Sequence, residues 1–101
     1  MSMVIPIAMS DGIRVDAGMA LVSIRDFTFE PSILRITVGT WVRWVNLDDM
    51  PYGVVHAAHP HLFRSGVMFP GDSYTRQFTT PGEFPYRCAI HMYMRGVVKV
   101  G

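Results

Sequence analysis

The spacing of turn signals is the feature that most constrains the fold of this 101-residue chain. Clusters such as Pro70-Gly71-Asp72 and Pro81-Gly82 recur about every ten residues and separate short segments rich in β-branched and aromatic residues. Two of these segments, Trp41–Asn46 and Tyr74–Phe78, alternate apolar and polar residues at the strand period. No window combines apolar residues at helical spacing with an N-cap and a C-terminal Gly. We therefore expect an all-β fold, either a β-sandwich or a small barrel.

The remaining segments fit one domain that spans residues 1–101, a length typical of a single domain. Within residues 1–19, Met3–Met9 is a candidate extra strand at a sheet edge. The large aromatic side chains are expected in the core, namely those of Phe27, Phe29, Trp41, Trp44, Phe78 and Tyr86. The other segments predicted to be extended are residues 20–30, 33–38, 52–58, 62–69, 83–88 and 96–100.

Charge and composition exclude several classes of protein. Nine basic and eight acidic residues give a formal net charge of +1, and the arginines are scattered, so no nucleic-acid partner is expected. The longest uncharged stretch begins at Met50 and ends just before Arg64, and it contains three His and two Pro, so direct insertion into a membrane is not expected. The single cysteine, Cys88, excludes an intrachain disulfide. A plain apolar core and a site for a soft metal both remain open.

A Cys-x-x-His-x-x-Met motif lies near the C-terminus, between two predicted strands. Its residues Cys88, His91 and Met94 offer a thiolate, an imidazole and a thioether within one short loop. These are soft or borderline donors, which suit copper better than Mg²⁺ or Ca²⁺, and a thioether is a poor ligand for zinc. Each residue also has an ordinary explanation: a buried thiol, a surface histidine and a core methionine. The motif alone leaves metal binding and plain structure open.

An ordered series of residues surrounds this motif and covers the chain from about Val22 to Val100. The chain therefore resembles the cupredoxins, the small blue-copper proteins, and among them the amicyanin and plastocyanin type. The residues that carry the resemblance are 29–31, 36–46, 63–66, 69–74, 78–84, 86–88, His91, Met94 and 96–98.

The resemblance implies a fold, a cofactor and a function. The fold would be a Greek-key β-sandwich of about seven to nine strands. The cofactor would be one copper ion cycling between Cu(I) and Cu(II), and the function would be one-electron transfer rather than enzymatic catalysis. By the same resemblance Cys88 is the thiolate ligand, His91 an equatorial imidazole and Met94 the weak axial ligand, with Asn46 anchoring a neighbouring loop.

The sequence departs from the family pattern at the first histidine ligand, where Tyr52 stands in an ungapped comparison. Three alternatives are open for the fourth position. His56 could supply the imidazole, Tyr52 could ligate or shield the metal, or His59 or His61 could fold back to it. His56 would lie roughly 13 Å from Tyr52 along an extended strand, so both can reach one metal only if the segment is irregular.

The resemblance also suggests how the protein is used. A redox partner protein would dock on an apolar patch around His91, Met92 and Tyr93. Cupredoxins usually work in the periplasm or otherwise outside the cytoplasm, although residues 1–19 lack the early basic region of a signal peptide. Three alternatives to an electron carrier are a protein that handles copper, an open-site copper catalyst acting on a small molecule, and a copper-free interaction domain.

Overall fold

The computed structural model describes residues 13–15 and 18–101, and these form two β-sheets that enclose one core. The nine strands of this part are β1 (Ile13–Val15), β2 (Met19–Arg25), β3 (Thr28–Glu30), β4 (Ile33–Ile36), β5 (Trp41–Asn46), β6 (Val55–His56), β7 (Ser73–Gln77), β8 (Gly82–Arg87) and β9 (Arg95–Val100). One sheet has the order β1-β4-β9-β8-β6 and the other the order β3-β2-β5-β7. The expected all-β sandwich and its strand number are confirmed.

Alternating side chains place the core between the two sheets. In β2 and β5 every second residue is buried, as the strand period requires. The expectation of a core position is confirmed for four aromatic residues and wrong for Phe27 and Trp41, which are exposed. Trp41 pairs with Met19 on the solvent face of its sheet, and Phe27 lies in a turn. The four buried aromatic residues are Phe29, Trp44, Phe78 and Tyr86.

Residues 20–30 form a hairpin, so the prediction of one continuous segment is wrong. Asp26 and Phe27 both have positive φ, 54° and 58°, and turn β2 back onto β3. Positive φ is unusual for a phenylalanine, and distant groups hold this conformation. The Asp26 N–H donates to Asp48 Oδ2 at 2.9 Å, and the Phe27 N–H donates to Tyr52 Oη at 3.2 Å.

Residues 52–69 contain less regular strand than predicted. Only Val55–His56 forms a ladder with β8, while Tyr52 and Met68 form an isolated bridge. The backbone of Gly53 lies against Gly66 and Ala89, an approach that a Cβ would obstruct.

The N-terminal segment is described only in part. Met3–Met9 lies outside the described residues, whereas β1 forms the edge of the five-stranded sheet and pairs in parallel with β4. Over residues 13–15 and 18–101, no helix is long and apolar enough to cross a membrane.

Candidate metal centre

The loop of residues 88–94 is closed by its own hydrogen bonds. The Cys88 N–H donates to the Met94 carbonyl at 3.0 Å, and the Met94 N–H donates to the His91 carbonyl at 2.9 Å. The His91 N–H donates to Cys88 Sγ at 3.4 Å. Cys88 and Met94 are both buried. The loop therefore brings a sheltered thiol and a sheltered thioether to the same end of the sandwich.

The imidazole ring of His91 contains a buried nitrogen that the protein leaves unpartnered. Its Nε2 is buried and has no hydrogen-bond partner, although buried polar atoms nearly always have one. The ring lies against Phe27, with centroids 5.1 Å apart, and against Tyr52, with centroids 5.3 Å apart. An unpaired imidazole nitrogen in the loop that also holds a buried thiol and a buried thioether is a candidate metal ligand.

These three donors fit copper, and the fit depends on the thioether. No group of three or more His, Cys, Asp and Glu side chains within residues 13–15 and 18–101 could hold a metal ion. Within this loop, Met94 adds a thioether to the thiol of Cys88 and the imidazole of His91. Thiolate, imidazole and thioether together suit copper, and the set contains one imidazole where blue-copper sites have two.

Asn46 connects the segments that surround the loop. Its Nδ2 donates to the Met50 carbonyl at 2.9 Å and to the Met68 carbonyl at 3.0 Å. Its Oδ1 accepts the Asp48 N–H at 2.9 Å. Because every polar atom of this buried amide is used, the connection after β5 is held firmly beside the 88–94 loop.

Tyr52 is fully buried, and its hydroxyl is already engaged. Tyr52 Oη donates to Asp48 Oδ2 at 2.6 Å and accepts the Phe27 N–H at 3.2 Å. Burial, and then the bond to Asp48, raise the pKa of Tyr52 to about 12. The Tyr52 hydroxyl, followed by the backbone N–H groups of Asp49 and Asp26, lowers the pKa of Asp48 to about 2. The phenol therefore stays protonated and points at a carboxylate.

The sequence alone does not predict the contact between Tyr52 and Asp48. Asp48 and Asp49 are adjacent aspartates in a polar connection, and such residues are usually solvated. The only sequence signal was an acid four residues before a tyrosine. That spacing becomes meaningful only once the connection is known to fold back on itself.

The structure does not bring His56 together with Cys88, His91 and Met94. His56 pairs with Tyr86, and the next residue, Ala57, donates to the Pro85 carbonyl, so the chain runs along β8 away from Cys88. The ring lies against Phe63, and its Nδ1 accepts the N–H groups of Ala58 at 3.2 Å and His59 at 2.9 Å.

The surroundings of His56 also favour its neutral form. Burial lowers its pKa, and His59, His61 and Arg76 lower it further. His59 and His61 are exposed, and their rings contact each other with centroids 5.7 Å apart. These histidines therefore form a separate group around the turn after β6.

Comparison with known proteins identifies the family. Residues 17–101 match the family described as copper binding proteins, plastocyanin/azurin family. Amicyanin from Paracoccus denitrificans is 31% identical over 90 residues, which cover 86% of this chain and 69% of that protein. Plastocyanin from Scenedesmus fuscus is 33% identical over 83 residues, which cover 71% of this chain and 85% of that protein.

Solved structures agree with this assignment. A purple cupredoxin from Nitrosopumilus maritimus has a TM-score of 0.77 at 28% identity and covers 81% of this chain and 99% of its own. A copper-containing nitrite reductase from Thermus scotoductus has a TM-score of 0.75 at 32% identity, covering 81% of this chain but only 22% of its own. The chain belongs to the plastocyanin/azurin family of copper-binding proteins, and copper is its cofactor.

Proposed function

We propose that this protein is a one-electron carrier whose single copper is held by Cys88, His91 and Met94. The observation that carries the proposal is the buried, unpartnered Nε2 of His91 in the same hydrogen-bonded loop as the buried Cys88 and Met94. Copper would supply the one-electron couple. The chain supplies a rigid loop on a β-sandwich, so little rearrangement accompanies a change of oxidation state.

Tyr52 shields this site and is not one of its ligands. Its hydroxyl both donates and accepts a hydrogen bond, and the raised pKa keeps the phenol protonated at neutral pH. The ring lies against His91, where it restricts the access of water. This arrangement supports a site with one imidazole and disfavours an open position for a small-molecule substrate. We accordingly expect azide to leave the visible spectrum of the copper-loaded protein unchanged.

Copper titration of single variants tests the ligand set. Cys88→Ser and His91→Ala are each expected to lower copper affinity by more than about 100-fold, since each removes a direct ligand. His61→Ala, which changes an exposed histidine outside the loop, is the matched control and should bind copper like the wild type. Unchanged copper stoichiometry and visible absorption in Cys88→Ser would contradict the proposal.

A second candidate function, the carrying or handling of Cu(I), is favoured by the missing second imidazole. Two sulfur donors and one nitrogen suit Cu(I) better than Cu(II). Cyclic voltammetry separates the two candidates. A reversible wave supports the electron carrier, whereas a protein that holds Cu(I) and forms no stable Cu(II) state supports the copper handler.

The surface around His91 supports docking of a redox partner. Phe27, Ile90, Met92 and Tyr93 are exposed apolar side chains near this histidine, and Tyr93 is 70% exposed. We place the protein in the periplasm or another compartment outside the cytoplasm, as the resemblance to amicyanin and plastocyanin suggests.

A further inference from the structure

Three arginines lie in one row across the outer face of the five-stranded sheet, at the end that carries the 88–94 loop. Arg87 pairs directly with Arg95 on β9 and with Val55 on β6, and Val55 in turn bridges to Arg64. Directly paired residues project from the same face of a sheet. Tyr86 and Cys88, the neighbours of Arg87, are buried, so Arg87 and the side chains in register with it project outward.

We call Arg64, Arg87 and Arg95 the arginine row. Among the residues that the structure describes, no carboxylate forms an ion pair with any of the three. Arg87 Nη1 donates to the Cys88 carbonyl at 3.0 Å. Like charges directly opposite each other on neighbouring strands destabilise a sheet. The direct pairing of Arg87 with Arg95 therefore costs folding stability, which points to a use outside the folding of this chain.

Four aspartates lie on the other side of the same end. The connections that leave β2 and β5 and enter β7 carry Asp26, Asp48, Asp49 and Asp72, with Arg25 as the nearby cation. They converge because β2 and β5 are parallel and the Asp72 carbonyl accepts the Asn46 N–H at 2.9 Å. His91 lies between the two sides, since its ring contacts Phe27 of the first connection. Charge is thus separated across the candidate copper site.

We propose that the arginine row binds the carboxylate-rich part of a partner protein's docking surface while the partner covers His91. The statement that the partner exchanges electrons rests on the proposed function. The recognition of its carboxylates by the arginine row does not depend on that function. Arg64 and Arg87 line an open groove of about 270 Å³ whose floor includes Val54, Val55 and Ala89, and an acidic side chain fits there between two guanidinium groups. A nucleic acid fits less well, because a long polyanion crossing this end meets the four aspartates.

Adsorption to a carboxylate-terminated alkanethiol monolayer on gold tests the inference. Binding is measured by surface plasmon resonance at low ionic strength, where the Debye length is about 30 Å, with copper-loaded and copper-free protein. The test variant is R64Q/R95Q, which leaves the bond from Arg87 to Cys88 intact. The matched control is R43Q/K99Q, which removes the same charge from the opposite sheet and from the far end of β9.

The expected result is at least a ~10-fold loss of affinity for R64Q/R95Q and less than a ~3-fold loss for R43Q/K99Q, because only the first pair lies at the end that carries the 88–94 loop. Equal losses in both variants would overturn the proposal, as net charge alone would then explain binding. Tighter binding of the wild type to duplex DNA than to the monolayer would also overturn it. Voltammetry on the same electrode reports the proposed function separately: adsorption without a redox wave contradicts the electron carrier and leaves the docking inference standing.

Discussion

At the scale of single residues, Tyr52 connects three segments of the chain. All three lie at the end of the sandwich that carries the 88–94 loop. Its backbone pairs with Met68, its hydroxyl bonds Asp48, and the Phe27 N–H bonds its oxygen. The ring also lies against His91. The Tyr52 side chain therefore makes contacts that a histidine at this position could not make, since an imidazole is too short to span from His91 to Asp48.

The Tyr52→Phe variant tests whether the Tyr52 hydroxyl contributes to folding stability without contributing to copper binding. The ring is kept, but Asp48 and the Phe27 N–H each lose a partner, so the free energy of unfolding should fall by about 1 kcal/mol. Copper affinity and visible absorption should stay as in the wild type, because the proposed ligand set does not include the hydroxyl, which is engaged by Asp48 and the Phe27 N–H. Loss of copper binding in a folded Tyr52→Phe protein would contradict this account of Tyr52.

The pair of Tyr52 and Asp48 also predicts a pH window. The pKa of Asp48 is lowered from 3.8 to about 2 by folding, so its contribution is present above about pH 4 and disappears as the pH falls toward about 2. The pKa of Tyr52 is raised from 10.0 to about 12, so the contribution of the phenol is present below pH 10 and is lost as the pH rises through about 12.

Urea denaturation of the wild type and of Asp48→Ala at several pH values measures this window. The stability difference between the two proteins should be constant from about pH 4 to 10 and should shrink outside that range on both sides. A difference that does not vary between pH 2 and pH 5 would show that the carboxylate of Asp48 is not held as described.

At the scale of elements, the sequence predicts strands well where buried and exposed side chains alternate along the chain. Trp41–Asn46 is β5, and the segments at 83–88 and 96–100 correspond closely to β8 and β9. Alternation is a local property, so it can be read from consecutive residues. Because the sequence predicts both of these strands, it also predicts that the 88–94 loop lies between them.

The hairpin at Asp26 and Phe27 could not be predicted in this way. It lacks the Gly or Asn that usually accompanies positive φ, and its support comes from Asp48 and Tyr52, more than twenty residues along the chain. The same holds for the site: the donor types of Cys88, His91 and Met94 are visible in sequence. The engagement of Tyr52 by Asp48, in contrast, depends on how a connection folds back.

The turn after β6 gives a prediction about His56. His56→Ala removes the acceptor of two backbone N–H groups and the contact with Phe63, so stability should fall by about 1–3 kcal/mol. Copper stoichiometry should not change, because His56 lies away from the 88–94 loop. His61→Ala, at an exposed position in the same turn, is the control and should cost little.

Acid sensitivity provides a second readout for the same variant. Because folding lowers the pKa of His56 from 6.5, the unfolded chain takes up a proton first, and wild-type stability should decline as the pH falls below 6.5. Denaturation curves at pH 5 and pH 7.5 should show a smaller decline for His56→Ala. An equal decline in both proteins would mean that another group is responsible.

At the scale of the whole molecule, the two sheets hold one functional end. The hydrogen-bonded 88–94 loop, the Asn46 contacts and the Tyr52 network all meet there, and the arginine row and the aspartates divide its rim by charge. A rigid framework with one specialised end suits a protein that exchanges electrons through a small docking surface.

The spectra of the copper-loaded protein before and after Tyr52→His test the central claim most directly. If Cys88, His91 and Met94 hold the metal and Tyr52 stands where a second imidazole would be, the variant should gain an intense blue absorption. EPR should then show two coupled nitrogens in the variant and no more than one in the wild type. A Tyr52→His protein that binds copper equally well, with the absorption and nitrogen couplings of the wild type, would contradict the claim.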